Sequence, residues 1–417
     1  MKKILFILFL LGSQIVYGQG KADNKAQETY KKSAVIKTVK AYMKAENYNG
    51  VLTEIENTFK KYETTKDDAE YYSYLVRANE QLALQENKKM YLETKPDTVK
   101  YFTYLYNMYR LALVCDSIEQ ITDLDGKQVF KYRYDNANIL LRYRQNLRVA
   151  TNFFYRKRDY AKAYQYVDMY CTTKKAPLFY NKKNEFVLPD ENDNTAMSVL
   201  AVLSAFGSEN NEGVVKYLDD ALEDKSTHFK ILELGCKSYF ALNDTANAVE
   251  RLKDGFNRNP GQEYFFMSLV KYYNDSNRHE DCLELSKKMV EKFPNDRNYW
   301  FIKAKEEEIL GKEQDAIKSY ETAISKKNDD AESFSSIGMI YSEMAHKLYK
   351  NNTLSVTNPG YKEFKTKLRG LYSKAKDAYE SSKKYAPNVK TLWYDGLRNA
   401  YFRLNMGKEL KELEKIK

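Results

Sequence analysis

The chain has 417 residues and a formal net charge of +10 at pH 7, from 68 basic and 58 acidic residues. The two kinds of charge are interleaved along the sequence, which excludes a polycationic tail of the kind that binds nucleic acid. Only seven prolines and 16 glycines occur, so there is little room for long disordered linkers, and the composition is that of a helical protein.

Residues 1–18 have the pattern of a secretory signal peptide. Lys2 and Lys3 precede a short apolar run over residues 4–11, and Gly18 is a small residue before a plausible cleavage point. The run falls well short of the roughly 20 apolar residues that a membrane-spanning helix needs, which argues against an N-terminal anchor. We therefore expect an exported chain that is soluble after cleavage and located in the periplasm or at the cell surface.

Residues 19–194 are predicted to form degenerate helical repeats with loop insertions. The helical spacing of apolar residues breaks over residues 121–135, which contain a turn signal followed by residues that favour strands. The alternatives there are a short hairpin and an early start of the next helix, and a loop extension is favoured. A second polar loop, over residues 172–194, is longer than the usual connection between two helices.

From residue 195 to the end the pattern is regular, and between residues 229 and 328 it repeats at a constant interval, without any gap. Large, small and aromatic residues return at fixed offsets in three consecutive copies. The first copy has Leu232, Gly235, Cys236, Tyr239, Ala248, Leu252, Gly255 and Pro260. The second has Phe266, Leu269, Val270, Tyr273, Cys282, Ser286, Met289 and Pro294. The third has Trp300, Lys303, Ala304, Glu307, Ala316, Tyr320, Ala323 and Asn328.

This pattern resembles the tetratricopeptide repeat, which has a period of about 34 residues and alternates bulky, small and aromatic positions in the same order. The resemblance is specific over about residues 195–340 and degenerate elsewhere. It implies an all-α, right-handed solenoid of antiparallel helix pairs, because each pair can bury its apolar face only against its neighbours. Small residues are expected where two helices cross closely, as for Gly235 against Ala248.

The unit that begins at Ala331 has a late second helix. Ala375 stands where the period predicts residue 350, which indicates an insertion between the two helices. We expect both helices to extend past the stack over about residues 346–374, with a turn at residues 358–360. The segment after this unit, which holds Trp393, is predicted to be a C-terminal cap.

The cysteines and histidines are expected to pack rather than to bind metal. Cys236 and Cys282 occupy positions where the repeat needs a small apolar residue, and their helices are not direct neighbours, so no disulfide between them is expected. A bond between Cys115 and Cys171 stays open. His279 and Cys282 have helical spacing and could supply two metal ligands, but no second pair accompanies them. We therefore expect neither a metal nor a cofactor.

The residue after the small position of each first helix is a lysine. The resemblance implies that the first helices line a concave surface, and the residues that point into it would be Lys237, Lys271 and Lys305, which we call the lysine ladder. Ordinary helix packing would place them about 10 Å apart. The alternative is a solvated face without a ligand. The aromatic residues expected beside the ladder, where they could stack on a ligand, are Phe240, Tyr264 and Phe301.

The sequence has no motif that predicts catalysis: it lacks a nucleophile elbow, a phosphate-binding glycine loop and a zinc motif. We therefore expect a non-catalytic scaffold for protein–protein interactions in the cell envelope, rather than an enzyme. Its partner would be a protein or peptide, preferably an acidic one, bound on the concave face, and not nucleic acid. The alternative is a glycan-binding module, to which the 37 tyrosines point, although many of them fall on core positions.

Overall fold

The computed structural model describes residues 30–416 except 93, 122–129, 182, 184 and 189–193. The predicted signal peptide lies outside the described residues, as does most of the predicted break at residues 121–135. None of the helices described is long and apolar enough to cross a membrane.

The described part of the chain is all-α, as predicted. Its extended pairing amounts to one isolated antiparallel bridge between Tyr180 and Phe186. Three short 3-10 helices connect longer elements, at Glu63–Asp67, Pro177–Phe179 and Lys390–Leu392. The α-helices are α1 (Lys32–Lys44), α2 (Tyr48–Lys61), α3 (Ala69–Tyr91), α4 (Thr98–Ile121), α5 (Arg133–Arg156), α6 (Tyr160–Thr173), α7 (Asn194–Gly207), α8 (Asn211–Ala221), α9 (His228–Ala241), α10 (Thr245–Arg258), α11 (Glu263–Asp275), α12 (His279–Lys292), α13 (Arg297–Ile309), α14 (Glu313–Lys326), α15 (Ala331–Lys350), α16 (Tyr361–Tyr385), α17 (Tyr394–Arg403) and α18 (Gly407–Glu414).

Consecutive helices pack against each other from α1 to α4 and from α7 to α18, which makes a solenoid of helix pairs. By contacts the chain divides into two compact units. Unit 1 contains residues 1–152 and 168–190, and unit 2 contains residues 153–167 and 191–417. The regular repeat belongs to unit 2.

In unit 1, the start of α5 is held by a carboxylate of α4. The two oxygens of Glu119 accept hydrogen bonds from the backbone N–H groups of Lys131, Tyr132 and Arg133, at 2.7, 2.9 and 3.1 Å. Arg133 also pairs with Asp116, and both side chains are almost fully buried. Residues 130–132, the described end of the predicted break, are thus an ordered connection, and the next helix begins only at Arg133.

The turns inside the helix pairs of unit 2 follow the same period as the core. In the four regular pairs from α7 to α14 a residue with positive φ ends the first helix, at Glu209, Asn243, Asn277 and Gly311, and these positions are one period apart. The next N–H then bonds back to a carbonyl in the last turn, for example from Asp244 to Tyr239 at 2.9 Å. This is the Schellman arrangement, which satisfies carbonyls that a helix end leaves unpaired.

The predicted core positions of unit 2 are buried in the first two copies of the repeat. Leu232, Cys236 and Leu252 have no exposed surface, and neither do Phe266 and Cys282. These residues belong to one apolar cluster that runs from α9 to α12. The third copy differs, because its first helix carries charged residues at buried positions, as described below.

The close approach at Gly235 lies between successive helix pairs, which corrects the expectation that Gly235 crosses Ala248 of its own pair. A Cβ atom at Gly235 would lie 2.7 Å from both methyl carbons of Leu218 in α8. Gly255 makes a similar approach to Phe265 of the following pair, at 2.5 Å. Small residues therefore set the spacing from one pair to the next.

Replacing Gly235 with leucine is expected to lower the free energy of unfolding by about 1–3 kcal/mol, because the new side chain would overpack against Leu218. Urea unfolding followed by circular dichroism measures this loss. The matched control is Gly370→Leu, since a Cβ atom at Gly370 of α16 meets nothing within 4 Å. Equal effects of the two substitutions would contradict the assignment of a close helix contact at Gly235.

The last helix pair is longer than its neighbours. Helices α15 and α16 have 20 and 25 residues, whereas α11 to α14 have 13 or 14. At its base this pair is covered by α17 and α18. Trp393, Leu397 and Leu413 pack there against Ala375 and Tyr379 of α16.

Candidate interaction surface on the first helices

Helices α9, α11, α13 and α15 are the first helices of successive pairs, and a cleft of about 280 Å³ lies between α11 and α13. We call it the first-helix groove. Its lining combines apolar side chains with polar ones at the helix starts. The lining residues are Glu263, Met267, Asp296, Asn298, Tyr299, Phe301 and Ile302.

Two of the ladder lysines lie one helical turn beyond this groove. Lys271 follows Met267 by four residues on α11, and Lys305 follows Phe301 by four residues on α13. Residues four apart lie on the same face of a helix. The spacing therefore puts both lysines on the face that lines the groove.

Lys237 and Lys271 are exposed and Lys305 is half-buried, and each forms an ion pair with a carboxylate on its own helix. The pairs are Lys237 with Glu233, Lys271 with Asp275 at 2.8 Å, and Lys305 with Glu308 at 3.3 Å. Exposed pairs of this kind contribute only about 0.3–0.5 kcal/mol, so a carboxylate of a partner can compete for the lysines. The paired carboxylates also cancel much of the positive charge that the spacing of the lysines alone would create.

Lys237 and Tyr264 connect two successive first helices. The Lys237 Nζ lies 5.1 Å from the centroid of the Tyr264 ring, at a distance typical of a cation–π contact. Burial raises the pKa of the Tyr264 hydroxyl well above its ordinary value. Tyr264 is therefore mainly a packing residue, with limited surface for a ligand.

The other two predicted aromatic residues differ in exposure. Phe240 is 36% exposed. Phe301 is half-buried, lies 5.5 Å from the Tyr320 ring and has the Arg297 guanidinium 4.3 Å from its centroid. Phe301 therefore both contacts Tyr320 of the core and lines the groove.

Three exposed apolar residues of the first helices were not among the predicted site residues. Met267, Ile309 and Met339 are 42%, 48% and 38% exposed. Their register was visible in the sequence, because Met339 follows Lys305 by one period and Ile309 follows it by one helical turn. Together with the lysines they give this face a mixed apolar and charged character.

Helix α13 carries a buried ion pair where other copies of the repeat have apolar side chains. Lys303 and Glu307 stand one period after Leu269 and Tyr273. Their Nζ and Oε1 atoms are 2.5 Å apart, and the side chains are 16% and 5% exposed. Ser319 of α14 accepts from Lys303 at 2.7 Å and donates to Glu307 at 2.6 Å. A polar network thus joins α13, which lines the groove, to α14.

His279 and Cys282 both lie beside the buried carboxylate of Glu306. His279 Nδ1 lies 2.9 Å from Oε2 of Glu306, a carboxylate that is 2% exposed. Burial, together with the nearby charge of Glu306, raises the pKa of the Cys282 thiol to about 12, so it stays protonated at neutral pH. Nowhere in the described residues do three or more His, Cys, Asp or Glu side chains gather in a way that could hold a metal ion.

An arginine at the start of α13 is bonded to the start of α15. Arg297 donates to Asp330 and, at 2.9 Å, to Glu332. Asp330 also accepts from the backbone N–H of Ser333 and caps α15. Burial acts to raise the pKa of Asp330, but the hydrogen bonds from Arg297 and Ser333 outweigh it and hold the pKa below its ordinary value. The starts of α13 and α15 are therefore joined by charge-assisted hydrogen bonds.

The four cysteines form no disulfide within the described part of the chain. Cys115, Cys236 and Cys282 are buried. Burial is the main cause that raises the pKa of the Cys115 and Cys236 thiols to about 12. These thiols pack as small apolar groups.

No family model matches the chain, and no curated protein matches it either. Among solved structures it is similar to MamA protein, with 18% identity and a TM-score of 0.35 over 46% of this chain and 90% of the other. For MamA from Desulfovibrio magneticus RS-1 the identity is 10% and the TM-score 0.30, over 46% and 98%. For YrrB, described as a TPR protein with an unusual peptide-binding site, the identity is 15% and the TM-score 0.33, over 48% of this chain and 91% of the other. Each likeness spans less than half of this chain.

Proposed function

We propose that the protein is a non-catalytic scaffold of the cell envelope that binds a segment of a partner protein along its first helices. The observation that carries this proposal is the first-helix groove, whose apolar residues Met267, Phe301 and Ile302 lie next to ladder lysines. The expected export of the chain places the partner in the periplasm or at the cell surface. Binding requires no chemistry beyond apolar contact and charge pairing.

The dimensions and charges of the groove favour one kind of ligand. A cleft of about 280 Å³ accommodates one or two side chains rather than a folded surface. An apolar side chain of the partner would contact Met267 and Ile302, while flanking carboxylates would replace Asp275 and Glu308 as partners of Lys271 and Lys305. The proposed ligand is therefore an extended peptide with an apolar anchor and neighbouring acidic residues.

Glycan binding is the alternative function. Carbohydrate sites combine an aromatic face with several hydrogen-bonding side chains, and the first-helix groove offers Tyr299 and Phe301 beside polar residues at the helix starts. The ladder lysines would suit an anionic glycan equally well. The experiment below separates the two, because only a protein partner yields a crosslinked polypeptide.

Site-specific photocrosslinking in the native cells tests the proposal. A photoreactive phenylalanine derivative at Met267 is expected to capture a polypeptide, because this exposed side chain lines the groove. The matched control carries the same group at Lys253, which is exposed on second helix α10. Capture at Lys253 but not at Met267 would contradict binding in the groove.

The captured partner is then titrated against purified variants of the chain. Lys271→Glu with Lys305→Glu is expected to weaken its binding by about tenfold or more, since it replaces two attractions with repulsions. The control is Lys253→Glu with Lys318→Glu, which changes the net charge equally on the second helices. Equal weakening in both variants would show that net charge, not the ladder, determines binding.

A further inference from the structure

The extension of α15 and α16 projects beyond the neighbouring helix pairs. Compared with the shorter helices α11 to α14, α15 is longer by about 10 Å and α16 by about 16 Å, at roughly 1.5 Å per residue. Its base is braced, because Ala345 and Tyr372 pack against Leu404 of the cap. Residues 346–374 form what we call the basic protrusion.

The protrusion has a charge unlike that of the rest of the chain. It contains seven basic residues and one acidic residue, Glu363, which gives it a formal charge of +6 out of +10 for the whole chain. The seven basic side chains are all exposed. They are Lys347, Lys350, Lys362, Lys365, Lys367, Arg369 and Lys374.

Most of these cations have no carboxylate partner among the described residues. Lys347 pairs with Glu313 at 2.7 Å, and Lys374 lies over the Tyr341 ring at 5.2 Å. The remaining five are exposed and lie at the end of α15 or near the start of α16. This distinguishes the protrusion from the lysine ladder, in which every lysine is paired on its own helix.

Exposed apolar side chains lie between these cations. Val356, Tyr349 and Leu354 are 76%, 56% and 37% exposed. The loop that carries Val356 and Leu354 is ordered by local bonds: the Asn358 side chain accepts from the N–H of Gly360 at 2.8 Å, and Asn352 contacts Leu354 at 3.3 Å. The apolar tip is therefore presented on a formed loop.

We propose that the basic protrusion docks the protein on an anionic lipid bilayer. Polybasic segments are attracted to the negative surface potential of anionic lipids, and exposed apolar residues enter the boundary between headgroups and acyl chains. The protrusion combines both features: Val356 and Leu354 enter the boundary while Lys350, Lys362 and Lys365 contact phosphates. The protein then lies on the bilayer without spanning it.

The combination favours a bilayer over another acidic macromolecule. Nucleic acid attracts cations but offers no apolar layer for a side chain that is 76% exposed at the end of a projecting loop, and an acidic protein would need a matching apolar pocket at this tip. The residues that line the first-helix groove all lie outside the protrusion. The variants below therefore leave the groove unchanged.

Vesicle co-sedimentation of the purified chain tests this proposal. Wild type is expected to sediment with phosphatidylcholine vesicles that contain phosphatidylglycerol, and not with phosphatidylcholine alone. Replacing Lys350, Lys362, Lys365 and Lys367 with glutamate is expected to weaken binding by more than about tenfold. The matched control replaces four exposed lysines elsewhere in unit 2 with glutamate and is expected to bind like wild type. These four are Lys225, Lys230, Lys253 and Lys318.

A second variant tests the apolar tip. Val356→Ser with Leu354→Ser keeps every charge and is expected to weaken binding to the anionic vesicles by roughly tenfold. Circular dichroism checks that each variant is folded. The proposal would be overturned if wild type did not bind or if the control lost as much binding as the lysine variant. Full binding by the tip variant would also overturn it, because it would show that the protrusion is attracted to any polyanion.

Discussion

Replacing Lys303 with alanine is expected to lower the free energy of unfolding by about 3–5 kcal/mol. The substitution leaves the Glu307 carboxylate, which is 5% exposed, without its cationic partner, and an uncompensated buried charge is strongly destabilising. Only Ser319 would still donate to it. Urea unfolding followed by circular dichroism measures the loss.

A double substitution separates the cost of the broken pair from the value of the intact one. Lys303→Leu with Glu307→Tyr installs the residues that the preceding copy has at Leu269 and Tyr273. Replacing a buried ion pair with apolar residues of similar volume is often neutral or stabilising, so the double variant should be about as stable as wild type. A loss as large as that of the single variant would show that the polar network is itself required for folding.

Replacing Trp393 with alanine is expected to cost about 3–5 kcal/mol, the usual range for a buried aromatic residue. Trp393 is 1% exposed and packs with Leu397 and Tyr379, and its indole N–H donates to the carbonyl of Ala386 at 3.0 Å. Since the cap covers the last helix pair, its loss should also expose α16. Hydrogen exchange is expected to accelerate in α16 and α17 before α9 to α12.

Phe402→Ala is the matched control for the cap. Phe402 belongs to α17, which Trp393 immediately precedes, but its side chain is 64% exposed, so its removal should change stability by no more than about 0.5 kcal/mol. Comparable losses for Trp393 and Phe402 would contradict the orientation of α17 against the stack.

The fold of unit 2 was largely predictable because one pattern repeats without a gap. Residues such as Leu232 and Phe266, one period apart, are fully buried at equivalent positions. The turns were less visible, since Glu209 and Gly311 share a positive φ but have different side chains. The end of one helix and the cap of the next impose the backbone conformation at these positions. The residue types found there therefore did not reveal that the turns repeat with the same period.

The predicted site residues lie on the first helices α9, α11 and α13, and their binding role stays a prediction. Each ladder lysine pairs with a carboxylate on its own helix, which reduces the positive charge of this face. Met267 was missed because an exposed methionine has no signature beyond its helical spacing. Phe301 was predicted as a ligand contact and proves half-buried, because Arg297 and Tyr320 cover it.

The buried face of each helix follows from the sequence alone, because a constant period holds every copy in the same register against its neighbours. The neighbour that this face meets depends on the tertiary packing: Gly235 approaches Leu218 of the preceding pair, and Lys303 is accommodated by Ser319 of the next helix. The packing also decided which charges are left unpaired. Each ladder lysine pairs with a carboxylate one turn away, whereas in the protrusion Lys347 pairs with Glu313 of α14 and five cations have no carboxylate partner among the described residues.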